Sequence, residues 1–145
     1  MPNLSTPPAP VPPGTTHLLR LEGAALLLAM AAVHGLTGES WGMAAALFLL
    51  PDLSLAAYLA GPRVGAIAYN AAHSTLGGLG LAIVGVLTGN ATLVAGAAIW
   101  LGHVGFDRML GYGLKYATGF RHTHLGLIGR RHTTSPTTAT LGSTP

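Results

Sequence analysis

Four apolar stretches, separated by short breaks, constrain this chain more than any other feature of its sequence. They cover residues 17–35, 39–59, 63–87 and 91–110, and each is long enough to cross a bilayer as a helix. Only 8% of all residues are charged, whereas soluble globular proteins carry about 25%. Such a composition can hardly form a water-soluble surface. The sequence therefore predicts an all-α fold, namely a polytopic membrane protein with a four-helix transmembrane bundle.

The two ends of the chain differ in composition from the apolar region between them. Residues 1–16 are uncharged and rich in Pro, and residues 132–145 are mostly Thr, Ser and Pro, so we expect two disordered tails. The membrane domain then comprises residues 17–131, with residues 111–131 lying at the cytoplasmic surface. The chain contains no cysteine, which excludes disulfides, thiolate metal ligands and thiol catalysis.

Lys and Arg residues are distributed unevenly about the four predicted spans. With four spans, both termini and the break at Gly61 and Pro62 lie on one side, and all seven Lys and Arg residues fall on or towards that side. The turns on the other side, residues 36–39 and 88–90, contain none. By the positive-inside rule, both termini are expected in the cytoplasm.

Polar side chains are concentrated in the cytoplasmic half of the predicted bundle. A rise of about 1.5 Å per residue, counted from the turns, places six of them at similar depth. These are Glu22, Asp52, Asn70, His73, His103 and Asp107. His103 and Asp107 are also four residues apart, and so share one helix face. Ionisable groups within a membrane are costly and indicate a functional site by default, so we expect a polar site that faces the cytoplasm.

A metal centre is the most concrete function that these residues suggest. His73, His103 and Asp107 are candidate ligands for zinc, iron or manganese, with Asp52 or Glu22 as a fourth. The metal would activate a water molecule, and the protein would be a metal-dependent membrane hydrolase. In that mechanism Asp52 is a fourth ligand or the general base, and Arg108 steadies Asp107 or an anionic substrate. His122 and His124 add two imidazoles close to the membrane surface.

Two non-enzymatic functions are the alternatives. In the first, basic residues bind an anionic lipid headgroup or small molecule, with interfacial tyrosines beside them. The candidate binding residues are Tyr69, Asn70, Arg63, Arg108, Lys115, His122 and His124. In the second, the polar residues form a hydrogen-bond and ion-pair network that holds the helices together.

Other partners are constrained by the same sequence. Gly61 with Gly65, and Gly85 with Gly89, have the spacing of close helix packing or of a homo-oligomer interface. Nucleic-acid binding is not expected, since the basic residues are tied to the membrane surface. A proton pathway is disfavoured because the non-cytoplasmic half of the predicted bundle is apolar.

Residues 120–126 are expected to fold back over the polar site as a lid.

Three phrases of the sequence resemble a known family. They are PDLSLAAYLAGPRVGAIAYNAAH, IWLGHVGFDRMLGYGLKY and GFRHTHLG. Together, residues 21–126 are similar to a bacterial family of small integral membrane proteins, defined only as a domain of unknown function. The resemblance implies a location in the bacterial inner membrane and supports the span boundaries and the site residues. It implies no activity.

Overall fold

The computed structural model describes residues 13–116, 122–123 and 126–127. These residues form five α-helices, one 3₁₀ helix and two short strands. The α-helices are α1 (Pro13–Thr37), α2 (Trp41–Leu47), α3 (Pro62–His73), α4 (Thr75–Leu87) and α5 (Ala91–Leu110). The 3₁₀ helix is Leu50–Ala60, and the antiparallel strands are β1 (His122–Thr123) and β2 (Gly126–Leu127).

The helices form four rods, as the sequence predicts. The first and last rods are α1 and α5, whereas α2 with the 3₁₀ helix, and α3 with α4, form two interrupted rods. Among the described residues, three stretches are long and apolar enough to cross a membrane, namely Gly14–Thr37, Trp41–Ala60 and Pro62–Leu87. The all-α, four-helix fold is therefore confirmed. α1 begins at Pro13, before the predicted start at residue 17, because proline is well tolerated in the first turn of a helix.

The surface of the bundle is apolar, and its most buried helix is α5. Large aliphatic side chains such as Leu36, Leu59 and Leu87 are 80–94% exposed, which suits contact with lipid rather than water. α5 is not among the three apolar stretches, because His103 and Asp107 make it more polar. It packs between α1 and α4, so this polar helix is the one shielded from the surroundings.

Glycines allow the helices to approach closely. A Cβ atom on Gly105 of α5 would lie 2.8 Å from both the carbonyl oxygen of Gly23 and the amide nitrogen of Leu27 on α1. Gly65 of α3 is covered by the Tyr58 ring, and Gly85 of α4 by Val94. One glycine of each predicted pair thus serves packing within the chain, whereas Gly61 and Gly89 have positive φ and a Cβ there would meet nothing within 4 Å. Homo-oligomer formation stays a prediction.

We expect Gly105→Ala to destabilise the bundle by about 1–3 kcal/mol, because the new methyl group meets backbone atoms that cannot rotate away. Gly80→Ala is the control, since a Cβ there would meet nothing within 4 Å. Thermal unfolding in detergent micelles, followed by circular dichroism, measures both. Equal melting temperatures for the two variants would show that α1 and α5 do not pack as described.

Candidate metal centre

Four ionisable side chains from three rods meet inside the bundle. Asp52 lies at the start of the 3₁₀ helix, His73 ends α3, and His103 and Asp107 lie on α5. One ligand atom of each residue lies within 4.8 Å of those of the others. Both imidazoles are buried, with side chains 1–3% exposed, while the side chains of Asp107 and Asp52 are 14% and 37% exposed. The structure thus brings together four of the six residues that helix depth places at one level.

The shortest distances in this cluster all involve histidine Nε2 atoms. His73 Nε2 lies 3.1 Å from His103 Nε2 and 3.3 Å from Asp52 Oδ1. It also lies 3.5 Å from Asp107 Oδ2, and His103 Nε2 lies 3.6 Å from Asp52 Oδ1. Glu22, the other predicted fourth ligand, has an exposed side chain on α1 and is not a member of the cluster.

Breaks in two rods bring Asp52 and His73 into this position. Pro51 lacks an amide hydrogen, and near it α2 gives way to a 3₁₀ helix of 11 residues, far longer than the usual single turn. Between α3 and α4, Ser74 adopts an extended conformation with ψ 150°. The carbonyl of Ala72 at this break accepts a hydrogen bond of 2.6 Å from the Trp100 indole nitrogen. Broken helices are tolerated within a membrane where protein groups satisfy the freed backbone in this way.

Tyr69 contacts two members of the cluster through three different groups. Its ring stacks on the His73 ring, with centroids 3.7 Å apart. Its carbonyl oxygen lies 2.9 Å from His73 Nδ1, and its hydroxyl donates a 2.9 Å hydrogen bond to Asp107 Oδ2. Tyr69 therefore orients a histidine and a carboxylate at once. The sequence placed Tyr69 near the membrane surface and did not predict this role.

The contact with the Tyr69 carbonyl determines which nitrogen of His73 carries its proton. A carbonyl oxygen can only accept a hydrogen bond, so His73 Nδ1 must donate. In neutral His73 the Nε2 atom is then an unprotonated acceptor that faces the carboxylates of Asp52 and Asp107. Ionised carboxylates are also acceptors only. Several acceptor atoms therefore converge on one small volume, which favours a cation at that place.

The chain after α5 turns back and is held beside the cluster. Gly111 ends α5 with φ +92°, a left-handed conformation that glycine adopts without strain. Asn70 then binds both backbone groups of Lys115: its Oδ1 accepts from the amide at 2.7 Å, and its Nδ2 donates to the carbonyl at 2.8 Å. The Asn70 side chain thus pairs with the backbone of Lys115 as a residue of a neighbouring β-strand would.

The Lys115 side chain is buried against aromatic rings. It is only 6% exposed, and its Nζ lies 4.1 Å from the centroid of the Tyr69 ring. Burial lowers the pKa of Lys115 to about 8, although the charges of Asp107 and Asp52 oppose this shift. Lys115 was predicted as a surface cation for an anionic ligand, but its ammonium group faces Tyr69 inside the protein.

Part of the predicted lid lies next to Lys115. Thr123 is 5% exposed and forms an isolated antiparallel bridge with Lys115, and β1 pairs with β2. His122 belongs to β1, whereas His124, Arg121 and most of the predicted lid lie outside the described residues. The described portion of the segment therefore reaches the chain that covers the cluster.

The remaining predicted residues occupy two different positions. Arg108 is partly buried and lines a small cavity together with His73 and Asp107. Arg63 has an exposed side chain in the first turn of α3, at the opposite end of that helix from His73. A further buried histidine, His34, packs on Trp41 near the end of α1, and neither ring nitrogen has a hydrogen-bond partner among the described residues.

Comparison with known proteins identifies a family but no activity. A family model described as "Domain of unknown function (DUF4260)" matches residues 16–128, which include the whole cluster, Asn70 and Lys115. No curated protein and no solved structure matches the chain. The expectation of an uncharacterised family is confirmed.

We expect Asn70→Ala to release the chain around Lys115 and to speed trypsin cleavage after Lys115 about tenfold. Two hydrogen bonds, each worth about 0.5–1.5 kcal/mol, are lost from the backbone of the cleavage site. Asn90→Ala is the control, because Asn90 caps α5 at the other end of the bundle. The rate of appearance of the fragment ending at Lys115, followed by mass spectrometry, measures the effect. The same rate in both variants would contradict the proposed restraint.

We expect the burial of Lys115 to make stability depend on pH in the alkaline range. The amine loses its proton at about pH 8 in the folded protein, whereas its ordinary pKa is 10.5. Between these values the unfolded chain binds more protons, so stability rises with pH across this window. Thermal unfolding from pH 7 to pH 10, in the presence of a chelator, should show a larger rise for the wild type than for Lys115→Met. Parallel curves would exclude this contribution.

Proposed function

The chain belongs to the DUF4260 family, and from the geometry of its buried cluster we propose that it is an integral membrane protein with a single divalent metal centre that performs hydrolysis. His73, His103 and Asp107 are the proposed ligands, with Asp52 as a fourth ligand or the general base. The family description assigns no activity, so the proposal rests on this cluster. Its main support is that four metal-binding atoms lie within 4.8 Å of one another.

The distances between the ligand atoms suit a metal ion at their centre. Zinc binds nitrogen and carboxylate oxygen at about 2.0–2.2 Å, which places neighbouring ligand atoms of a tetrahedral ion about 3.3–3.6 Å apart. Four of the separations between ligand atoms in the cluster, 3.1, 3.3, 3.5 and 3.6 Å, lie close to this range. Two imidazoles and two carboxylates are ligands typical of zinc, iron or manganese.

Contacts around the cluster support the ligand role of His73 and Asp107. A histidine that binds a metal through Nε2 commonly donates its Nδ1 hydrogen to a carbonyl or carboxylate. His73 has this arrangement with the Tyr69 carbonyl, and the hydroxyl of the same tyrosine holds Asp107. These outer contacts fix the direction of each ligand before any metal arrives.

Asp52 differs from the other ligands in a way that suits a general base. Its side chain is 37% exposed, so a water molecule can reach it, whereas Asp107 is enclosed. In the proposed mechanism His73, His103 and Asp107 would hold the metal, which would supply an activated water for hydrolysis. Asp52 would be the general base that accepts a proton from that water.

The proposed orientation in the membrane agrees with the ends of the helices. Arg20 donates a hydrogen bond of 2.8 Å to the carbonyl of Met109, so the start of α1 meets the end of α5. At the opposite end, Thr92 donates to Glu39. We place the first of these ends, which carries the basic residues, in the cytoplasm by the positive-inside rule. The metal centre then opens towards the cytoplasmic side of the bacterial inner membrane.

A structural network is the alternative function, and one contact favours it. The 3.1 Å separation between His73 Nε2 and His103 Nε2 also fits a hydrogen bond between two neutral imidazoles. In that case the cluster would hold three rods together and bind no metal. This contact satisfies the two nitrogens, and Asp107 accepts from the Tyr69 hydroxyl, but Asp52 Oδ1 still lies 3.3 Å from the unprotonated His73 Nε2.

We expect the purified protein to bind about one zinc, iron or manganese ion per chain. His73→Ala and His103→Ala each remove a ligand and should abolish this stoichiometric binding. His34→Ala is the matched control, because His34 is a buried histidine that lies outside the cluster. Elemental analysis after loading and desalting gives the stoichiometry, and the absorption spectrum of the cobalt-substituted protein reports the ligand geometry.

Either of two results would contradict the metal centre. One is a metal-free wild type whose cluster variants only lose thermal stability, which would favour the structural network. The other is equal metal loss in His34→Ala and in the cluster variants, since this would indicate general unfolding.

A further inference from the structure

A small cavity lies beside the four-residue cluster, at the end of α5. Its walls include His73, Asp107, Arg108, Tyr112 and Gly113, and its volume of about 10 Å³ is close to the least that holds one water molecule. The cavity is open on one side, so it suits one oxygen atom of a ligand, with the remainder outside.

The cavity contains a cation with no neutralising partner in the described part of the chain. Arg108 follows Asp107 directly in sequence, yet it forms no ion pair with it or with any other described residue. Asp107 instead accepts the hydrogen bond from Tyr69 and faces His73. The positive charge of Arg108 is thus available to a ligand in the cavity.

The chemistry of Arg108 and of the cluster selects an oxyanion. A guanidinium group donates two parallel hydrogen bonds to phosphate or carboxylate oxygens. A metal next to an arginine is an arrangement that stabilises phosphoryl oxygens in particular, because the two cations share the negative charge. The ligand group whose oxygen enters the cavity is therefore expected to be a phosphate.

The surroundings of the cavity indicate what is attached to that phosphate. Tyr112, which lines the cavity, is 41% exposed, and Leu110 near it is 44% exposed. Leu110 ends α5 and Tyr112 follows two residues later, where the apolar surface of the bundle meets the proposed cytoplasmic face. A molecule with a phosphate at one end and apolar chains at the other fits both environments.

We infer that Arg108 binds the phosphate headgroup of a membrane lipid in this cavity, next to the four-residue cluster. The inference rests on the proposed function for the role of the metal, since the ion would face the same phosphate. It goes beyond that function by naming the class of ligand, a lipid phosphate, and the residue that recognises it.

The test measures binding of three probes to the full chain in a maltoside detergent, with and without zinc. Dihexanoyl phosphatidate carries both phosphate and tails, inorganic phosphate carries no tail, and dihexanoylglycerol carries no phosphate. We expect phosphatidate to bind at least about tenfold more tightly than either of the others. If inorganic phosphate binds as tightly as phosphatidate, the ligand is not a lipid and the inference is overturned. If dihexanoylglycerol binds as tightly as phosphatidate, the site does not recognise phosphate, which also overturns the inference.

Variants of Arg108 show whether the cavity is the binding site. Loss of a charge-assisted hydrogen bond, worth about 1.5–3 kcal/mol, should weaken phosphatidate binding at least about tenfold in Arg108→Gln. Arg108→Lys keeps the positive charge but not the planar guanidinium group, so we expect its phosphatidate affinity to lie between those of the wild type and Arg108→Gln. If Arg108→Gln does not fold, the affinity of Arg108→Lys tests the site instead. Arg63→Gln is the control, since it removes an exposed arginine of α3 and should change the affinity less than about twofold. Equal losses of phosphatidate affinity in Arg108→Gln and Arg63→Gln would indicate attraction to the overall surface charge and overturn the inference.

The comparison of measurements with and without zinc separates this inference from the proposed function. If zinc does not bind but phosphatidate binding depends on Arg108, the metal centre fails and the lipid phosphate site stands. If zinc binds and Arg108→Gln leaves phosphatidate affinity unchanged, the lipid phosphate site fails and the metal centre stands.

Discussion

The rest of this structure depends on one unfavourable requirement: two carboxylates and two imidazoles must be held together inside an apolar bundle. Removing such groups from water costs several kcal/mol per ion unless each finds partners. Regular helices alone would not bring these side chains to one point. The rods are broken at Pro51 and at Ser74, and each break lies next to one of the converging residues. Trp100 then satisfies a carbonyl that the second break leaves free.

Burial in this bundle is inverted relative to a soluble protein. The rod that carries His103, Asp107 and Arg108, α5, is the one enclosed by its neighbours, while leucines of the other rods face outwards. In a membrane this arrangement is favourable, because lipid solvates leucine well and solvates His103 and Asp107 poorly. Association then depends on close contact rather than on the hydrophobic effect, which explains why α1 and α5 meet at Gly23 and Gly105.

The sequence predicted this site better than it predicted the contacts that support it. Helical rise alone placed Asp52, His73, His103 and Asp107 at one depth, because depth along a helix depends only on residue number. The rotation of each rod about its own axis depends on packing, so the exposed position of Glu22 and the enclosed Lys115 were not predictable. The same holds for Tyr69 and Asn70, whose roles arise from pairing with residues about 40 positions away, at Asp107 and Lys115.

Charge balance connects the proposed metal centre to the proposed lipid phosphate. When both carboxylates of the cluster are ionised, they carry two negative charges, and neutral imidazoles do not offset them. A divalent ion would neutralise the pair within a low-dielectric bundle, where an unbalanced charge is most unfavourable. Arg108 at the cavity wall and Lys115, whose pKa is about 8, then leave an excess of positive charge at neutral pH. An anionic phosphate that arrives from the membrane surface would offset this excess, so the metal would make the ligand easier to bind.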